Sequence, residues 1–570
     1  LRLISIRRRS MPPTLKEKIW NSIFMNPSYN KTNQLETGNS KLSTGEFCYL
    51  AFLAIFSALK ALGFYEGQTV FTLFMLAAFA FLAGKLALTR HTLLEYTGIV
   101  LLLFMGLLVY RNTGEKSLLI NLAVLAGIKG VSGRRIFQTL FTVWGSCYTV
   151  LVFLALLGIH SDVLYMHNKH RIGYVLCHSL GYAHSNVVHI NYLCICAMLL
   201  YLVKDTFSRR QKAALTVLLA VLDGYVFLYS MSFTGMLASL LFYVIYLYLT
   251  VRGKVGKVLK ALFLMLVPAL NLFFLAGPVL IKGRLFDLIN KALNTRFNLT
   301  RWFLTEQRLT PFGTRFDIPN YRYTLDCSYA YLFIQLGVVP FLVLMLLYVL
   351  TIRWLLRNGR LTELAIMAGL CIAGGTEPFL FNLSFKNVTL IFVGEYLFDL
   401  SERLRERFCE KAGVWTPLML PERVLLRGLS ERSVPTCLCV CERGARVLSR
   451  IYRCWQRNWK RYLILGAVTF LAGVGTAAAL RKSVPVVYIN SSVNEEEERT
   501  PFYPEPEEVE EILESGGLVY GYPGPDGRMY PYYGSTAQIE YLRILVSSGV
   551  WCAGIVCVTA GTVQMRRQKR

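Results

Sequence analysis

The chain has 570 residues, of which 54% are hydrophobic and 17% charged, and its formal net charge is +26. Soluble domains carry about 25% charged residues, so this composition excludes an ordinary soluble enzyme and favours a protein embedded in lipid. Because lysine and arginine flank apolar runs, we attribute the positive charge to membrane orientation and predict no nucleic-acid partner.

Apolar runs near 20 residues, the length that crosses a bilayer as a helix, recur along the chain. The sequence therefore predicts an all-α, polytopic integral membrane protein of about twelve transmembrane helices, followed by a C-terminal two-helix hairpin. The twelve predicted spans are 47–65, 69–88, 93–110, 116–132, 137–159, 185–203, 213–230, 234–251, 259–280, 328–350, 362–380 and 387–400. The hairpin spans are 462–480 and 543–563.

Polar segments divide the chain into regions. These are a basic cytoplasmic N-terminal tail (1–46), the twelve-helix domain (47–400), a basic cytoplasmic linker (401–461), the hairpin (462–563) with an acidic, Pro- and Tyr-rich outer segment (483–542), and a basic cytoplasmic tail (564–570). The N-terminal tail lacks a short apolar region followed by a cleavage site, so we expect the first span to be an uncleaved signal anchor.

Basic residues cluster in alternate loops, as the positive-inside rule requires when both termini are cytoplasmic. The predicted inner loops contain Lys85, Arg90, Lys129, Arg134, Arg135, Lys204, Arg209, Arg210, Lys212, Arg252, Lys254, Lys257, Lys260, Arg353, Arg357 and Arg360. This orientation in the plasma membrane places two long segments, 160–184 and 281–327, on the outer face.

The first outer segment belongs to a histidine-rich stretch. Six of the seven histidines fall in it: His160, His167, His170, His178, His184 and His189. A titratable segment between spans is costly unless it meets water, a ligand or a partner charge. Imidazoles also bind zinc, but the stretch offers no close pair of the HxH type beside a carboxylate, so we predict no metal site.

The second outer segment is rich in arginine. It contains Lys282, Arg284, Lys291, Arg296, Arg301, Arg308, Arg315 and Arg322. The planar guanidinium can grip a phosphate through two hydrogen bonds, so this loop predicts an anionic ligand at the outer surface. The alternative is a solvated loop that pairs with lipid headgroups.

Motifs for nucleotide-driven or hydrolytic chemistry are absent from the sequence, including the P-loop, GxSxG and HExxH. An outer-face enzyme without a cofactor needs an activated substrate that is already in the bilayer, such as a glycan on a polyprenyl diphosphate. Glycan transfer needs a base for the attacking hydroxyl and cations for the departing diphosphate. The two outer segments supply both types of residue.

Three stretches of the twelve-helix domain are distinctive: RIGYVLCHSLGYAHSNVVHINYL, RLTPFGTRFDIPNYRYTLDCSYAYLFIQLGVVPF and GGTEPFLFNLSFKNVTLIFVG. By these stretches, the chain resembles the O-antigen polymerase and O-antigen ligase family over roughly residues 47–400. The first resembles the family's GxxHPN-like helix entry, with Ser185 in place of proline. The chain departs from the family at Phe233, where an arginine is common, and Arg301 only approaches the usual spacing before Gly313.

The resemblance and the required chemistry together imply a set of site residues. The candidate bases are His184, His178 and Asp326; the candidate diphosphate ligands are Arg171, Arg296, Arg301 and Arg315; the supporting residues are Asn186, Gly313, Tyr329 and Glu377. Glu377 is expected to pair with one of the arginines. The structural alternative is that His184 and Asn186 cap one helix and Asp326 caps the next.

The implied function is polymerisation of undecaprenyl-diphosphate-linked oligosaccharide repeats into a surface polysaccharide or capsule, without metal or cofactor. Expected partners are the lipid-linked oligosaccharide, the bilayer and a chain-length regulator or other assembly protein. One alternative is ligase-like glycan transfer to another acceptor. A flippase or secondary transporter is another, but it predicts charged residues inside the helices, where the sequence shows few.

Overall fold

The computed structural model describes residues 42–169, 173–319, 323–412, 461, 464–480, 488–489, 501–502, 520–523, 529–532 and 535–567. The chain is mainly helical. In chain order the helices of its main body are α1 (Thr44–Ala61), α2 (Thr69–Leu88), α3 (Leu93–Thr113), α4 (Ser117–Gly127), α5 (Gly133–Leu156), α6 (Ser185–Leu202), α7 (Arg209–Ser230), α8 (Phe233–Arg252), α9 (Lys257–Leu280), α10 (Gly283–Ala292), α11 (Arg296–Glu306), α12 (Val338–Arg357), α13 (Leu361–Ala373) and α14 (Thr389–Ala412). The predictions for 1–41 and 413–460 lie outside the described residues.

Ten helices of the described chain are long and apolar enough to cross a membrane, which is fewer than the predicted total. The difference arises partly at α4 and α13, which are shorter than a span. Almost every side chain of α13 is buried. A helix enclosed by its neighbours does not need the length of one that faces lipid, which accounts for the shorter element.

The predicted span 328–350 is wrong at its start, since α12 begins at Val338. Residues Ser328–Ala330 and Tyr331–Gln335 form a separate helical turn and π-helical segment, and Gly337 breaks the helix with a φ of +105°. This left-handed backbone favours glycine. A continuous apolar sequence therefore conceals a bend.

The predicted, mostly helical class is confirmed, but the histidine-rich segment contains an antiparallel β-hairpin that the sequence did not predict. Strands β1 (Leu164–Lys169) and β2 (Gly173–His178) pair from Leu164 opposite His178 to Lys169 opposite Gly173. Four short strands lie in the predicted outer segment 483–542: β3 (Tyr488–Ile489), β4 (Pro501–Phe502), β5 (Tyr520–Pro523) and β6 (Met529–Tyr532).

Two further helices, α15 (Ile464–Leu480) and α16 (Ser535–Arg567), follow the main body. The side chain of Arg543 in α16 is buried against the main body. It donates to the carbonyl oxygens of Leu176 in β2 and Leu228 in α7, both at 2.6 Å. Arg543 thus satisfies one carbonyl of β2 and one in the last turn of α7, where a cation is also favoured by the helix dipole.

Side-chain contacts separate the two ends of the helical bundle. At one end lie the residues near both predicted outer segments, and there the Tyr182 hydroxyl donates to the carbonyl of Ala61 at 3.0 Å. We call this the loop end. At the opposite end, which we call the basic end, Lys204 pairs with Glu363 at 2.8 Å. The alternation of the predicted loops between two ends is therefore consistent with the contacts.

Candidate functional site

The carboxyl group of Glu377 lies at the centre of a polar cluster at the loop end. Three side chains converge on its Oε1 atom: Asn186 Nδ2 at 3.1 Å, Thr234 Oγ1 at 3.4 Å and Arg296 Nη2 at 3.1 Å. These residues come from the starts of α6, α8 and α11. The cluster therefore joins three parts of the chain that are remote in sequence.

Arg296 contacts two carboxylates at once. Its Nη2 atom lies 3.1 Å from Glu377, and its Nε atom lies 3.5 Å from Asp326 Oδ2. The arginine is buried, whereas about a third of the Asp326 side chain is exposed. One guanidinium thus balances two acids, and Arg296 is committed to them rather than free to hold a diphosphate.

Ser328 fixes the backbone that carries Glu377. Its hydroxyl donates to the carbonyl oxygen of Glu377 at 2.6 Å and accepts from the amide of Leu380 at 3.2 Å. The amide of Ser328 donates to the carbonyl of Gly374 at 2.8 Å. These bonds tie the segment after Asp326 to the connection between α13 and α14, so both acids of the cluster share one rigid support.

Glu377 lies outside the candidate spans, in the connection 374–388. Burial raises the pKa of its carboxyl to about 7; Arg296 opposes the rise, Asp326 adds to it, and Lys386 and the Thr234 hydroxyl oppose it. Burial also lowers the pKa of Lys386 in the same connection to about 8. Because a carboxyl with a pKa near 7 exchanges protons at neutral pH, Glu377 is suited to general acid–base chemistry.

His184 does cap a helix, as the structural alternative predicted. Its Nδ1 atom accepts from the amide of Asn186 at 3.1 Å at the start of α6. The second half of that alternative is wrong, because Asp326 pairs with Arg296 and the residue at the N-cap of the next helical turn is Cys327. His184 thus positions Asn186, which contacts Glu377 directly.

His178 belongs to a different group of contacts. Its Nδ1 atom lies 2.6 Å from Asp162 Oδ2, and its ring packs edge-on against Tyr229. Burial lowers the pKa of His178, while Asp162 raises it and Arg543 lowers it. His178 therefore helps to hold the β-hairpin, and its described contacts do not bring it to Glu377.

The contacts described for the other arginines of the predicted set lie apart from the cluster. Arg301, on α11, lies over the ring of Phe286 at 5.4 Å. Arg315 is exposed to solvent. Arg171 lies outside the described residues. Arg301 is half-buried and Arg315 is exposed, so both side chains have surface open to a ligand.

Gly313 and Tyr329 support the backbone near the site. A Cβ atom on Gly313, whose φ is +79°, would lie 2.1 Å from the carbonyl oxygen of Gln335. The buried Tyr329 donates to the carbonyl of Cys371 at 2.6 Å. The contacts described for both residues are structural.

Sequence reasoning missed three features. Thr234 contacts Glu377 from the turn where the family resemblance was weak, and Lys386 adds a buried cation near it. The expectation of few ionisable residues in the helices also overlooked Asp223 and His189, which are fully buried and 3.2 Å apart. The signal was available, because Asp223 interrupts an otherwise apolar run in α7.

No family model matches the chain, and no curated protein or solved structure matches it. The site must therefore be interpreted from its own geometry. It combines a buried carboxyl that titrates near neutrality, a second carboxyl that is partly exposed, and an arginine that joins them. Such a group can take up or release a proton at neutral pH.

Proposed function

We propose that the protein polymerises oligosaccharide repeats carried on a polyprenyl diphosphate, in the manner of an O-antigen or capsule polymerase. The reaction is placed at the outer face of the plasma membrane, with both termini cytoplasmic. The observation that carries the proposal is the convergence of Asn186, Thr234 and Arg296 on Glu377, with Arg301 further along the helix that begins with Arg296. A proton acceptor and cations are the two requirements of diphosphate-leaving glycan transfer.

In this proposal Glu377 is the general base, a role that the sequence assigned to His184, His178 or Asp326. The hydroxyl of the acceptor glycan gives its proton to the carboxylate of Glu377. At the same time the oxygen of that hydroxyl forms the new bond to the anomeric carbon of the donor glycan, which is attached to the diphosphate. The bond from that carbon to the diphosphate breaks, and the electron pair leaves with the polyprenyl diphosphate. Arg301 and Arg315 stabilise the leaving group, since charge-assisted bonds to phosphate are strong.

The amphipathic helix α10 supports a substrate anchored in the membrane. Leu280 at the end of α9 and Leu285 and Leu288 of α10 are 72%, 56% and 67% exposed. On its other side, Phe286 is buried and packs against Phe297 of α11 with ring centroids 5.5 Å apart. The exposed leucines continue the apolar surface of α9, so α10 suits the lipid interface next to the helix that begins with Arg296.

Two alternatives follow from specific features. Glycan transfer to a different acceptor, as in a ligase, uses the same base and cations. A transporter or flippase is favoured by His189 and Asp223, because ionisable side chains buried between membrane helices frequently mark a transport or proton pathway. The lipid-linked intermediate that accumulates distinguishes these functions.

The test uses a strain in which the chromosomal copy of this gene is deleted and the full chain is restored from a plasmid. Polymerase function predicts long glycans with the wild-type chain and single repeats on lipid with Arg296→Ala. Arg301→Ala should shorten the glycans, and His184→Ala should have a smaller effect, since it acts through Asn186. Glycans are separated by gel electrophoresis after extraction from the outer face.

The position of the trapped intermediate decides between the functions. Single repeats on lipid at the outer face support a polymerase, whereas full-length polymer left on lipid in the deletion strain indicates a ligase. Lipid-linked repeats confined to the cytoplasmic leaflet indicate a flippase. Normal polymer length in all three variants would contradict the site assignment.

A further inference from the structure

A second cluster of polar side chains lies inside the helical bundle, on α6 and α7. The imidazole of His189, on α6, lies between two partners from α7. Its Nε2 atom is 3.2 Å from Asp223 Oδ1, and its Nδ1 atom is 3.2 Å from Ser230 Oγ. All three side chains are fully buried. Neither this Nε2 atom nor the two carboxylate oxygens of Asp223 makes a hydrogen bond among the described residues, so the 3.2 Å approach is an electrostatic contact. Such a buried arrangement is costly unless its members compensate one another.

The same imidazole packs against the turn that joins α7 to α8. A Cβ atom on Gly235 would lie 2.8 Å from His189 Cδ2, so only a glycine admits the ring at this place. The turn is further held by the Ser230 hydroxyl, which accepts from the amide of Ser232 at 3.3 Å. Met231 adopts a φ of +47°, an uncommon conformation that the surrounding contacts must hold.

This turn delivers one of the ligands of Glu377. Thr234 directly precedes Gly235, and its hydroxyl lies 3.4 Å from Glu377 Oε1. Asn186, one helical turn before His189 on α6, lies 3.1 Å from the same oxygen. His189 therefore lies on the helix that supplies Asn186 and contacts the turn that supplies Thr234.

We propose that Asp223, His189 and Ser230 form a positioning network that sets the α7–α8 turn against α6, so that Thr234 and Asn186 meet at one oxygen of Glu377. Asp223 orients the imidazole, and Ser230 couples the imidazole to the turn. This inference deepens the proposed function, and it rests on Glu377 being the titrating group of that site. None of the three residues touches the substrate.

The network has a measurable consequence because the Thr234 hydroxyl stabilises the ionised form of Glu377. The charged groups that face Glu377 are Arg296 from α11, Asp326 from the segment before α12 and Lys386 from its own connection. Those that face His189 are Asp223 and the hydroxyls near it. A turn that has lost its support should weaken the Thr234 bond and thereby raise the pKa of Glu377.

The test is the thermal unfolding of the purified full chain in detergent between pH 5 and pH 9. The folded-state pKa of Glu377 is about 7, above its usual value of 4.5. Its contribution to stability is therefore complete below about pH 4.5, falls as the pH rises from there, and is lost above about pH 7. This fall, which ends near pH 7, is the step that the experiment follows. In Glu377→Gln this step in the unfolding temperature should be missing, which identifies it.

Ser230→Ala should move the step to higher pH by about half a unit, the size expected for a weakened hydrogen bond to a charged group. Thr234→Val should move it similarly, and the double variant should move it no further, since both act through one bond. Ser239 of α8 is also a fully buried serine, so Ser239→Ala is the matched control and should leave the step in place. His189→Gln, which retains polar atoms, should follow Ser230→Ala.

A step that stays in place in Ser230→Ala while it moves in Thr234→Val would overturn the positioning network. Additive shifts in the double variant would also overturn it. A wild-type chain without the step contradicts the role of Glu377 and the network together. Conversely, if the wild-type gene fails to restore polymer but the steps behave as expected, the proposed function falls and the network stands.

Discussion

The two ends of the bundle both contain buried ion pairs, but the charges are matched differently. At the basic end, Glu363 lies 2.8 Å from Lys204 and 3.0 Å from Arg360, and Arg360 also lies 2.7 Å from Glu395. Although burial lowers the pKa of Arg360, the two acids outweigh this effect and hold it above its usual value. Two acids therefore meet two cations.

At the loop end, the single guanidinium of Arg296 contacts both Glu377 and Asp326. Because only one cation contacts the two acids directly, the burial of Glu377 is not fully compensated and its pKa is near 7. The comparison teaches that a buried ion pair is not a functional signal in itself. A buried acid that is incompletely compensated is a stronger one.

The largest expected effect is a loss of activity when the cluster at the loop end is disrupted. Arg296→Ala should reduce polymer formation by about 100-fold or more, because the base loses its orientation and its proton affinity changes. The free energy of unfolding should decrease by less than the activation free energy increases, since Glu377 can become neutral by taking up a proton. Polymer per milligram of folded protein is the measurement, and retention of wild-type activity would contradict the prediction.

The corresponding change at the basic end should act on stability. Arg360→Ala leaves Glu395 without its cation and Glu363 with Lys204 alone. We expect a loss of about 3 kcal/mol, typical of breaking a buried pair by removing one partner. The amount of protein in the membrane should fall while the activity of each folded molecule is unchanged. A selective loss of activity would erase the distinction between the ends.

A smaller effect concerns the balance of charge within the cluster. Asp326→Asn removes a negative charge that raises the pKa of Glu377, so the midpoint of the pH–activity profile should move below 7. The Ser239→Ala variant on α8 serves as a control for a buried substitution outside the cluster. An upward shift in Asp326→Asn would show that Asp326 does not act on Glu377 electrostatically.

The smallest effect is expected outside the cluster. Arg301→Ala should reduce polymer formation only several-fold, since Arg315 supplies a second cation, and it should leave the pH midpoint in place. The rate at limiting concentrations of lipid-linked repeats should fall more than the rate at saturation. A shift of the midpoint would place Arg301 in contact with Glu377 during the reaction.

The sequence predicted elements where one physical signal dominates. The uninterrupted apolar run of α2 gave the bounds 69–88 that the structure has. The start of α12 could not be predicted in the same way, because hydropathy does not report the bend at Gly337. The β-hairpin was missed since its pairing depends on register between two short segments rather than on a continuous pattern.

The candidate site was predicted in part for a similar reason. The expected pairing of Glu377 with an arginine is confirmed by Arg296, whose charge and position in a predicted outer loop were visible in the sequence. The roles of Thr234 and His189 depend on how α6, α7 and α8 pack, which no local pattern reveals. Single polar residues in apolar helices were the available signal.

The central claim is that Glu377 is the group whose ionisation controls the reaction. The most direct test is the polymer length that intact cells make as the external pH is varied from 5.5 to 8.5, with the wild-type chain and with Glu377→Gln. A base must be deprotonated, so wild-type polymer formation should rise through about pH 7, the pKa of this carboxyl. The variant should form little polymer at every pH. A wild-type profile without a rise, or a variant that keeps the rise, would contradict the account.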